Sequence, residues 1–465
     1  MPAHQGQPPP IQVSRSERVA LACVIVAFGA GYAAVALLRH WHFDSSYDLG
    51  IYDQAVWHLS RFERPASTLR GLSTIFGDHF HPILILFAPL LWIAPAAETL
   101  IVAQAALLAL SIVPVFVFAR RRLPSGPALT LAVAYGFCWC IQQTALFDVH
   151  EVAFAPLFIG ALILSMDLRQ WRWFWVSAAL LLLTKEDLAP VLIFVGAYLL
   201  MRGDRRIGAL LMGLSLVTFV VVVGVIIPSA NDAHAYGYRG TYEHILREPW
   251  RAAVMLVTPR IKLMTAFLWV APFALLPLAS PLSTLLVPFA LMRFLSASPN
   301  HWGTIFHYSA PIGPIVAMAA AEGLVAVTRG IHRAETRARA IWMLAGACVV
   351  LSAVLPGHQP LWRLTSPKAY RYTPLHRTGY AALAAIPADV SVTAQTAVAP
   401  QLTHREMIRI LDQTTPDAAY VIAARGLSPW PLGSDDEIAA LLEGYRRRGY
   451  GVVFERDGWT VLRRN

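Results

Sequence analysis

The chain is poor in charged residues, which make up 14% of its 465 positions, whereas an ordinary soluble domain carries about 25%. Hydrophobic residues account for 56% of the sequence. A soluble fold of this size cannot hide that much apolar surface from water, but a lipid bilayer accepts it. The scarcity of charge therefore excludes an ordinary soluble protein and predicts an α-helical polytopic membrane protein.

Cysteine is also scarce, and it is not gathered into a polar cluster. All four cysteines lie in apolar runs: Cys23, Cys138, Cys140 and Cys348. A disulfide framework or a zinc site would need them together in polar surroundings, so neither is expected. Lysine and arginine outnumber aspartate and glutamate by 38 to 28. In a membrane protein this excess usually reflects cytoplasmic loops, so membrane lipids are expected as partners and nucleic acid is not.

Eleven apolar segments are candidates for membrane-spanning helices. They cover residues 19–38, 97–119, 127–146, 152–168, 174–184, 188–201, 207–228, 263–280, 283–297, 310–328 and 340–356. Two of them, 174–184 and 188–201, are shorter than the ~17 residues that a full span usually needs. Such short helices are tolerated in a membrane where the turn between them lines a cavity.

The odd number of predicted spans places the two ends of the chain on opposite sides of the membrane. With residues 1–18 as a cytoplasmic tail, the inner connections hold many arginines, which agrees with the positive-inside rule. These fourteen are Arg15, Arg18, Arg120, Arg121, Arg122, Arg169, Arg172, Arg202, Arg205, Arg206, Arg329, Arg333, Arg337 and Arg339. Residues 19–356 would then form the membrane domain, with a large outer loop at 39–96, and residues 357–465 an extracytoplasmic domain.

The segment 357–465 has the pattern of a small α/β domain. Short β-like runs occur at 390–394, 419–423, 451–454 and 459–462. An amphipathic helix is predicted over 435–448, because Ser434 can cap it and three acidic residues in its first turn complement the helix dipole.

The outer loop contains the first candidates for chemistry. Apolar positions at helical spacing predict a helix over 49–62 that lies along the membrane surface, with Asp48 at its N-terminal end. A carboxylate there can act as a general base or a metal ligand, or it can simply cap the helix. The later sequence Gly-Asp-His-Phe-His-Pro contains His79 and His81. These are candidates for metal ligands or proton carriers, or for purely structural hydrogen bonds.

Two further outer turns concentrate charge in a sequence that otherwise has little of it. The first holds three titratable residues between two predicted spans: Asp148, His150 and Glu151. In the second, Lys185, Glu186 and Asp187 interrupt a long apolar stretch, where ionisable residues are costly and usually functional. The simpler alternatives are chance clustering in the first turn and mutual neutralisation of Lys185 and Glu186 in the second.

The predicted topology gathers these candidates at one outer, membrane-level face, together with Arg293, His307 and Tyr308. Carboxylates that activate a hydroxyl or hold a metal ion, beside basic groups that hold a phosphate, suit a reaction on a lipid-linked anionic substrate. An alternative is a transporter or flippase of polar lipids or cell-envelope precursors, although the acids do not lie at the membrane midplane and no internal repeat is visible. A third possibility is a non-catalytic scaffold of the cell envelope.

In several of these motifs the chain resembles the family of bacterial and archaeal membrane proteins known as domain of unknown function 2079. The matching pieces are Tyr47 to Gln54, His81-Pro82, His150, Lys185 to Asp187, His307-Tyr308, 392–405 and 416–422. That family looks like a distant branch of the GT-C superfamily, whose polytopic glycosyltransferases use polyprenyl-phosphate sugars as donors. The GT-C-like plan implies a large outer loop with an acidic motif, short broken helices and a soluble outer C-terminal domain.

The resemblance implies a glycosyltransferase at the outer face of a bacterial inner (plasma) membrane. A lipid-linked sugar would be its donor, and a cell-envelope glycan, lipid or protein its acceptor. The acidic residue of the superfamily maps onto Asp48, with Glu186 and Asp187 as further catalytic candidates. The implied substrate-binding set is Lys185, His81, His150, Glu151, Arg293 and His307. Because Asp-Leu stands here where the superfamily often has an acidic pair, a divalent metal held by Asp48, His150 and Glu151 is left open.

Overall fold

The protein is described by a computed structural model that covers residues 12–357 and 359–465. The first eleven residues of the predicted tail lie outside this description. The first helix, α1 (Arg15–Trp41), begins earlier than the predicted span because Ser14 caps it. The Ser14 hydroxyl accepts a hydrogen bond from the Glu17 amide (3.2 Å), and the Glu17 carboxylate accepts one from the Ser14 amide (2.7 Å). This reciprocal cap satisfies two donors at the helix start.

The described residues contain twenty α-helices. Those that follow α1 up to residue 354 are α2 (Tyr47–Ser60), α3 (Ala88–Leu91), α4 (Ala97–Leu110), α5 (Ile112–Arg120), α6 (Ser125–Phe137), α7 (Trp139–Leu146), α8 (Ala155–Asp167), α9 (Trp171–Leu182), α10 (Leu188–Met201), α11 (Arg205–Val221), α12 (Ile227–Ala230), α13 (Glu243–Arg247), α14 (Ala252–Val257), α15 (Ile261–Val270), α16 (Val287–Phe294), α17 (Ile312–Thr328) and α18 (Ala334–Val354). The helix predicted over 49–62 corresponds to α2.

Five helical segments are long and apolar enough to cross a membrane: Arg15–Trp41, Ala97–Arg120, Arg205–Ala230, His307–Thr328 and Ala334–Val354. Two bent pairs, α6 with α7 and Pro249–Val257 with Ile261–Phe273, bring the number to seven if each pair is one span. The other four predicted spans correspond to α8, α9 and α10, of 13, 12 and 14 residues, and to the helical segment Pro281–Phe294, which includes α16. Fourteen helical residues extend about 21 Å, less than the ~30 Å hydrocarbon core. The total of eleven, and the orientation derived from it, therefore stay predictions.

Two glycines bring the short helix α10 against α11. A Cβ added at Gly196 would lie 2.7 Å from the carbonyl oxygen of Gly208, and one added at Gly208 would lie 2.5 Å from that of Gly196. Small residues permit this direct backbone contact between membrane helices. The contact fixes α10, and with it the charged turn at 184–187 from which α10 starts.

The C-terminal part contains α19 (Pro374–Ala384), α20 (Asp435–Arg447) and a five-stranded sheet in the order β2-β1-β3-β5-β4. The strands are β1 (Val392–Ala394), β2 (Ile408–Ile410), β3 (Tyr420–Ala424), β4 (Tyr450–Arg456) and β5 (Trp459–Arg464). β1 is parallel to β2 and β3, whereas β5 is antiparallel to β3 and β4. The predicted β-like runs correspond to β1, β3, β4 and β5, and the predicted helix is α20; β2 and α19 were not foreseen.

The sheet lies between α20 and the outer loop, so that every residue of β3 is buried. On one face, Val421 packs in a core with Ile438 of α20. On the other face, Ile422 belongs to the same hydrophobic core as Leu49 of α2. A strand buried on both faces has a continuous apolar sequence rather than an alternating one. The C-terminal sheet therefore shares a core with the outer loop and covers the helix that carries Asp48.

Candidate functional site

A cavity of about 390 Å³ opens between α2, the turn at 184–187 and the loops around residues 238 and 301. Seven of the nine predicted site residues line it: Asp48, His150, Lys185, Glu186, Asp187, Arg293 and His307. The other two, His81 and Glu151, are buried behind this lining. Segments that are far apart in the sequence thus converge on one cavity.

The N-terminus of α2 is capped by residues other than Asp48. The Ser46 hydroxyl accepts a hydrogen bond from the Asp48 amide (3.4 Å). The Asp148 carboxylate accepts hydrogen bonds from the Ser46 and Leu49 amides, both at 3.2 Å, and it pairs with Arg39 at 2.8 Å. Since Ser46 and Asp148 satisfy the helix start, the Asp48 side chain is left to face the cavity.

Asp48 faces the imidazole of His150 across a short gap. Asp48 Oδ2 lies 3.8 Å from His150 Nε2, and His150 Nδ1 lies 2.9 Å from the carbonyl oxygen of Asp148. Because a carbonyl only accepts, Nδ1 carries a proton, and the Nε2 edge of the ring faces Asp48. Burial raises the pKa of Asp48, and His150 opposes this only in part. This separation exceeds a direct hydrogen bond and leaves no room for an oxygen between the two atoms, so a hydroxyl that donates to Asp48 would lie beside the pair.

Buried polar contacts hold the His150 ring in this position. The His150 amide donates to Gln104 Oε1 (3.0 Å), and Gln104 Nε2 donates to the Thr144 carbonyl (3.0 Å). The ring of His307 stacks on that of His150 with centroids 3.8 Å apart. The stacked rings of His150 and His307 therefore hold each other in place, and the Nε2 edge of His150 is left open to a ligand in the cavity.

Lys185 pairs with Glu151 rather than with its neighbour Glu186. Lys185 Nζ lies 2.8 Å from Glu151 Oε1, and the Glu151 side chain is fully buried. Burial alone would lower the pKa of Lys185, but the carboxylate outweighs it and holds this pKa well above its ordinary value. Burial likewise acts to raise the pKa of Glu151, and the ammonium keeps it well below the usual range. A permanent positive charge therefore lines the cavity.

Glu186 pairs with His79, so the simpler alternative, mutual neutralisation of Lys185 and Glu186, does not describe the turn. Glu186 Oε1 lies 2.6 Å from His79 Nδ1, and Glu186 Oε2 accepts from the Phe80 amide at 3.0 Å. Burial raises the pKa of Glu186, but His79 outweighs it and brings the pKa to about 2. The pKa of His79 is raised, because Glu186 outweighs burial and the repulsion from Lys185. This pair ties the segment around His79 to the charged turn.

Asp187 and His81 differ in their access to the cavity. The Asp187 carboxylate is exposed to solvent inside the cavity, but protein surrounds the cavity on its other sides. This enclosure raises the pKa of Asp187 to about 6, although the positive charge of Lys185 acts to lower it. Burial lowers the pKa of His81 to about 4, so its ring is neutral at pH 7. The ring centroids of His81 and Tyr52 are 5.7 Å apart, so His81 packs behind a residue that lines the cavity.

Arg293 lines the cavity but uses much of its guanidinium to hold a loop. Its Nε donates to the His301 carbonyl (2.7 Å), one terminal nitrogen to the Gly303 carbonyl (2.5 Å), and the other to the Ser309 hydroxyl. These contacts anchor the loop that presents His307. Fewer donors are thus left for a substrate phosphate than on a free arginine.

Several lining residues were missed by the sequence interpretation. Arg70 pairs with Asp78 at 3.2 Å, and Tyr238 stacks on His79 with centroids 4.4 Å apart. Tyrosine is the commonest polar lining residue. Tyr236, Tyr238 and Tyr242 were not singled out, whereas Tyr308 was named and Tyr47 and Tyr52 lie in the segment quoted for the family resemblance. The only local signal for two of them is the alternating Tyr-Gly-Tyr at residues 236–238. The opposite wall is apolar: Phe219, Phe289 and Met292.

The three candidate metal ligands do not form a metal-binding group. Among the described residues, one trio has possible ligand atoms within 4.8 Å of one another, and it is His58, Glu63 and Glu406. Asp48, His150 and Glu151 are not such a trio, because the Glu151 carboxylate is turned to Lys185. Asp48, His150 and Glu151 therefore do not fit a resident metal ion as a three-residue site.

The chain matches the sequence model of a family described as predicted membrane protein (DUF2079) over residues 39–461. Its structure is similar to the crystal structure of ArnT from Cupriavidus metallidurans bound to undecaprenyl phosphate. The similarity covers 97% of this chain and 98% of that chain, with a TM-score of 0.53 and 12% sequence identity. No curated protein matches the chain. At this identity the similarity shows a shared fold.

Proposed function

Since this chain belongs to the DUF2079 family of predicted membrane proteins and has the fold of ArnT along nearly its whole length, we propose that it is a GT-C-like glycosyltransferase with a polyprenyl-phosphate-linked sugar donor. The predicted family resemblance is confirmed by these two matches. The undecaprenyl phosphate bound to ArnT supports a lipid phosphate as the donor part of the present proposal. The reaction would take place at the outer face of the inner (plasma) membrane.

The observation that carries the proposal is the composition of the cavity that Asp48 lines. It contains a carboxyl of raised pKa at Asp48, a permanent ammonium at Lys185 and an apolar wall from helices of the membrane domain. A base, a phosphate-binding cation and an apolar surface are what transfer from a lipid-linked phosphate sugar requires. The tyrosine hydroxyls add donors and acceptors that suit a sugar.

In the proposed reaction, Asp48 removes the proton of an acceptor hydroxyl that lies beside the Asp48–His150 pair. The hydroxyl oxygen forms a bond to the anomeric carbon of the sugar while the bond from that carbon to the donor phosphate breaks. The electron pair leaves with the polyprenyl phosphate, and attack from the opposite side inverts the anomeric carbon. Lys185 stabilises the negative charge of the departing phosphate. Glu186 and Asp187 bind hydroxyls of the sugar.

The test is a comparison of cell-envelope glycans by mass spectrometry in a strain that lacks the gene and in strains complemented with variants. Wild type should restore one sugar that the deletion strain has lost. Asp48→Asn should not, because loss of a general base slows transfer by about 10²–10⁴-fold. The matched control is Asp44→Asn, since Asp44 is an exposed aspartate that does not line the cavity; it should behave as wild type.

Three outcomes would contradict the proposal. Full complementation by Asp48→Asn, at equal protein level, removes the base assignment. Complete glycan precursors that accumulate on the inner leaflet of the deletion strain indicate a flippase. If both glycans and precursors are unchanged in the deletion strain, the proposed transfer is wrong and the scaffold hypothesis remains.

A further inference from the structure

A second cavity, of about 650 Å³, lies beside the first. Its lining includes Arg39 near the end of α1, Phe147 just after α7, and Arg363 in the segment that follows α18. Three candidate membrane spans therefore end beside it: Arg15–Trp41, the bent pair α6–α7 and Ala334–Val354. If these three segments cross the bilayer, the cavity lies at the level of the lipid headgroups.

The charged lining of the second cavity is purely basic, with Arg39 and Arg363 and no carboxylate among its described lining residues. Arg39 contacts the Leu146 carbonyl (2.9 Å) and Asp148 (2.8 Å) through Nη1 alone. Within the described chain its Nε and Nη2 have no hydrogen-bond partner, and Arg363 is exposed. Guanidinium groups bind phosphate oxygens through parallel charge-assisted hydrogen bonds.

The rim of this cavity is apolar and exposed. Ile305 is 69% exposed and Trp362 is 52% exposed, and both line the cavity. Tryptophan is enriched at the membrane–water interface because one side of its ring system is apolar and its N–H is polar. An opening that combines two guanidinium groups with exposed apolar side chains fits an anion attached to a lipid better than a free anion.

One aromatic layer separates the two cavities. The ring of Phe147, which lines the second cavity, has its centroid 5.2 Å from that of His150 and 5.5 Å from that of His307. Both histidines line the first cavity. A molecule held at the second cavity thus lies next to the side of the first cavity where Asp48 and His150 meet.

We propose that the second cavity binds the phosphate of an anionic lipid, and that this lipid is the acceptor whose hydroxyl is glycosylated. This inference rests on the proposed glycosyl transfer and names its acceptor class. The two arginines hold the lipid phosphate at headgroup level, and the apolar rim contacts the first part of its chains. The polar headgroup then reaches past Phe147 to the Asp48–His150 pair.

The binding part is tested without catalysis, on the full-length protein in detergent, with short-chain phosphatidic acid as the probe. Arg363→Gln should weaken phosphatidic acid binding by about tenfold, since one charge-assisted contact is lost. Arg371→Gln is the matched control, because Arg371 is an exposed arginine of the same segment and does not line the cavity. It should leave the affinity unchanged. Phosphatidylcholine should bind more weakly than phosphatidic acid to wild type.

Equal affinity of wild type and Arg363→Gln for phosphatidic acid would overturn the proposed site. Competition by inorganic phosphate as strong as that by phosphatidic acid would show that the ligand is a free anion and not a lipid. In a transfer assay with lipid extract, Arg363→Gln should raise the KM for the acceptor and leave kcat and the donor KM unchanged. A raised donor KM instead would assign the cavity to the donor. Wild-type protein that binds the probe through Arg363 but transfers no sugar would contradict the proposed function and leave the lipid site in place.

Discussion

The buried pair of Glu151 and Lys185 allows a quantitative test of the cavity. The change is Glu151→Gln, which keeps the shape of the side chain and removes its charge. Glu151 is 0% exposed and Lys185 is 9% exposed, with their charged atoms 2.8 Å apart. The variant leaves the Lys185 ammonium largely buried without its counter-charge.

Removal of one partner from a buried ion pair costs about 3–5 kcal/mol. Because Lys185 also lines a cavity that contains solvent, we expect the lower end, about 3 kcal/mol. Lys185→Met should lower the free energy of unfolding by less, because the remaining Glu151 can take up a proton and become neutral. The double variant should be more stable than the sum of the single effects predicts, with a coupling free energy within the 0.5–3 kcal/mol range that contacting residues show.

The assay is a double-mutant cycle on the free energy of unfolding, measured by reversible denaturation in mixed micelles. Glu243→Gln is the matched control, because Glu243 also pairs with a basic residue, Arg247, but both side chains are exposed (56% and 73%). It should have no measurable effect. If Glu151→Gln costs no more than this control, or if the two changes at Glu151 and Lys185 are additive, the argument for an essential buried pair is wrong.

Two further predictions concern pH and packing. The Glu186 carboxylate stabilises the fold fully above its ordinary pKa of 4.5, and this stabilisation is lost as the pH falls towards its folded pKa of about 2. Protonated His79 stabilises the fold fully below its ordinary pKa of 6.5, and this stabilisation is lost as the pH rises through its raised pKa. Wild type should therefore lose more thermal stability than His79→Gln between pH 6 and pH 9, and parallel pH profiles would contradict this. Gly323→Ala should destabilise the fold by about 1–3 kcal/mol, because the new Cβ would lie 1.9 Å from the Leu276 carbonyl oxygen. Gly346→Ala, with no atom within 4 Å of the new Cβ, should not lower the melting temperature, and equal effects of the two changes would refute the packing argument.

A large part of the candidate site could be found from the sequence because ionisable residues are conspicuous in an apolar chain. The turn at Lys185 to Asp187 and the position of Asp48 were singled out in this way, and both line the first cavity. Tyr236, Tyr238 and Tyr242 were not, since a tyrosine in a polar loop carries no local signal of burial. Strand β2 was missed for a similar reason, because three residues are too few for an alternating pattern.

The sequence by itself determined the class of the protein, the approximate places of the long helices and the residues that carry charge into the membrane region. These properties depend on composition and on periodicity over short windows, which are local. Only the tertiary structure decided how the charges pair, since Lys185 reaches Glu151 and Glu186 reaches His79 rather than each other. It also decided that Ser46 and Asp148, and not Asp48, cap α2. Such pairings are set by distances between segments that are far apart in the chain, and no local pattern encodes those distances.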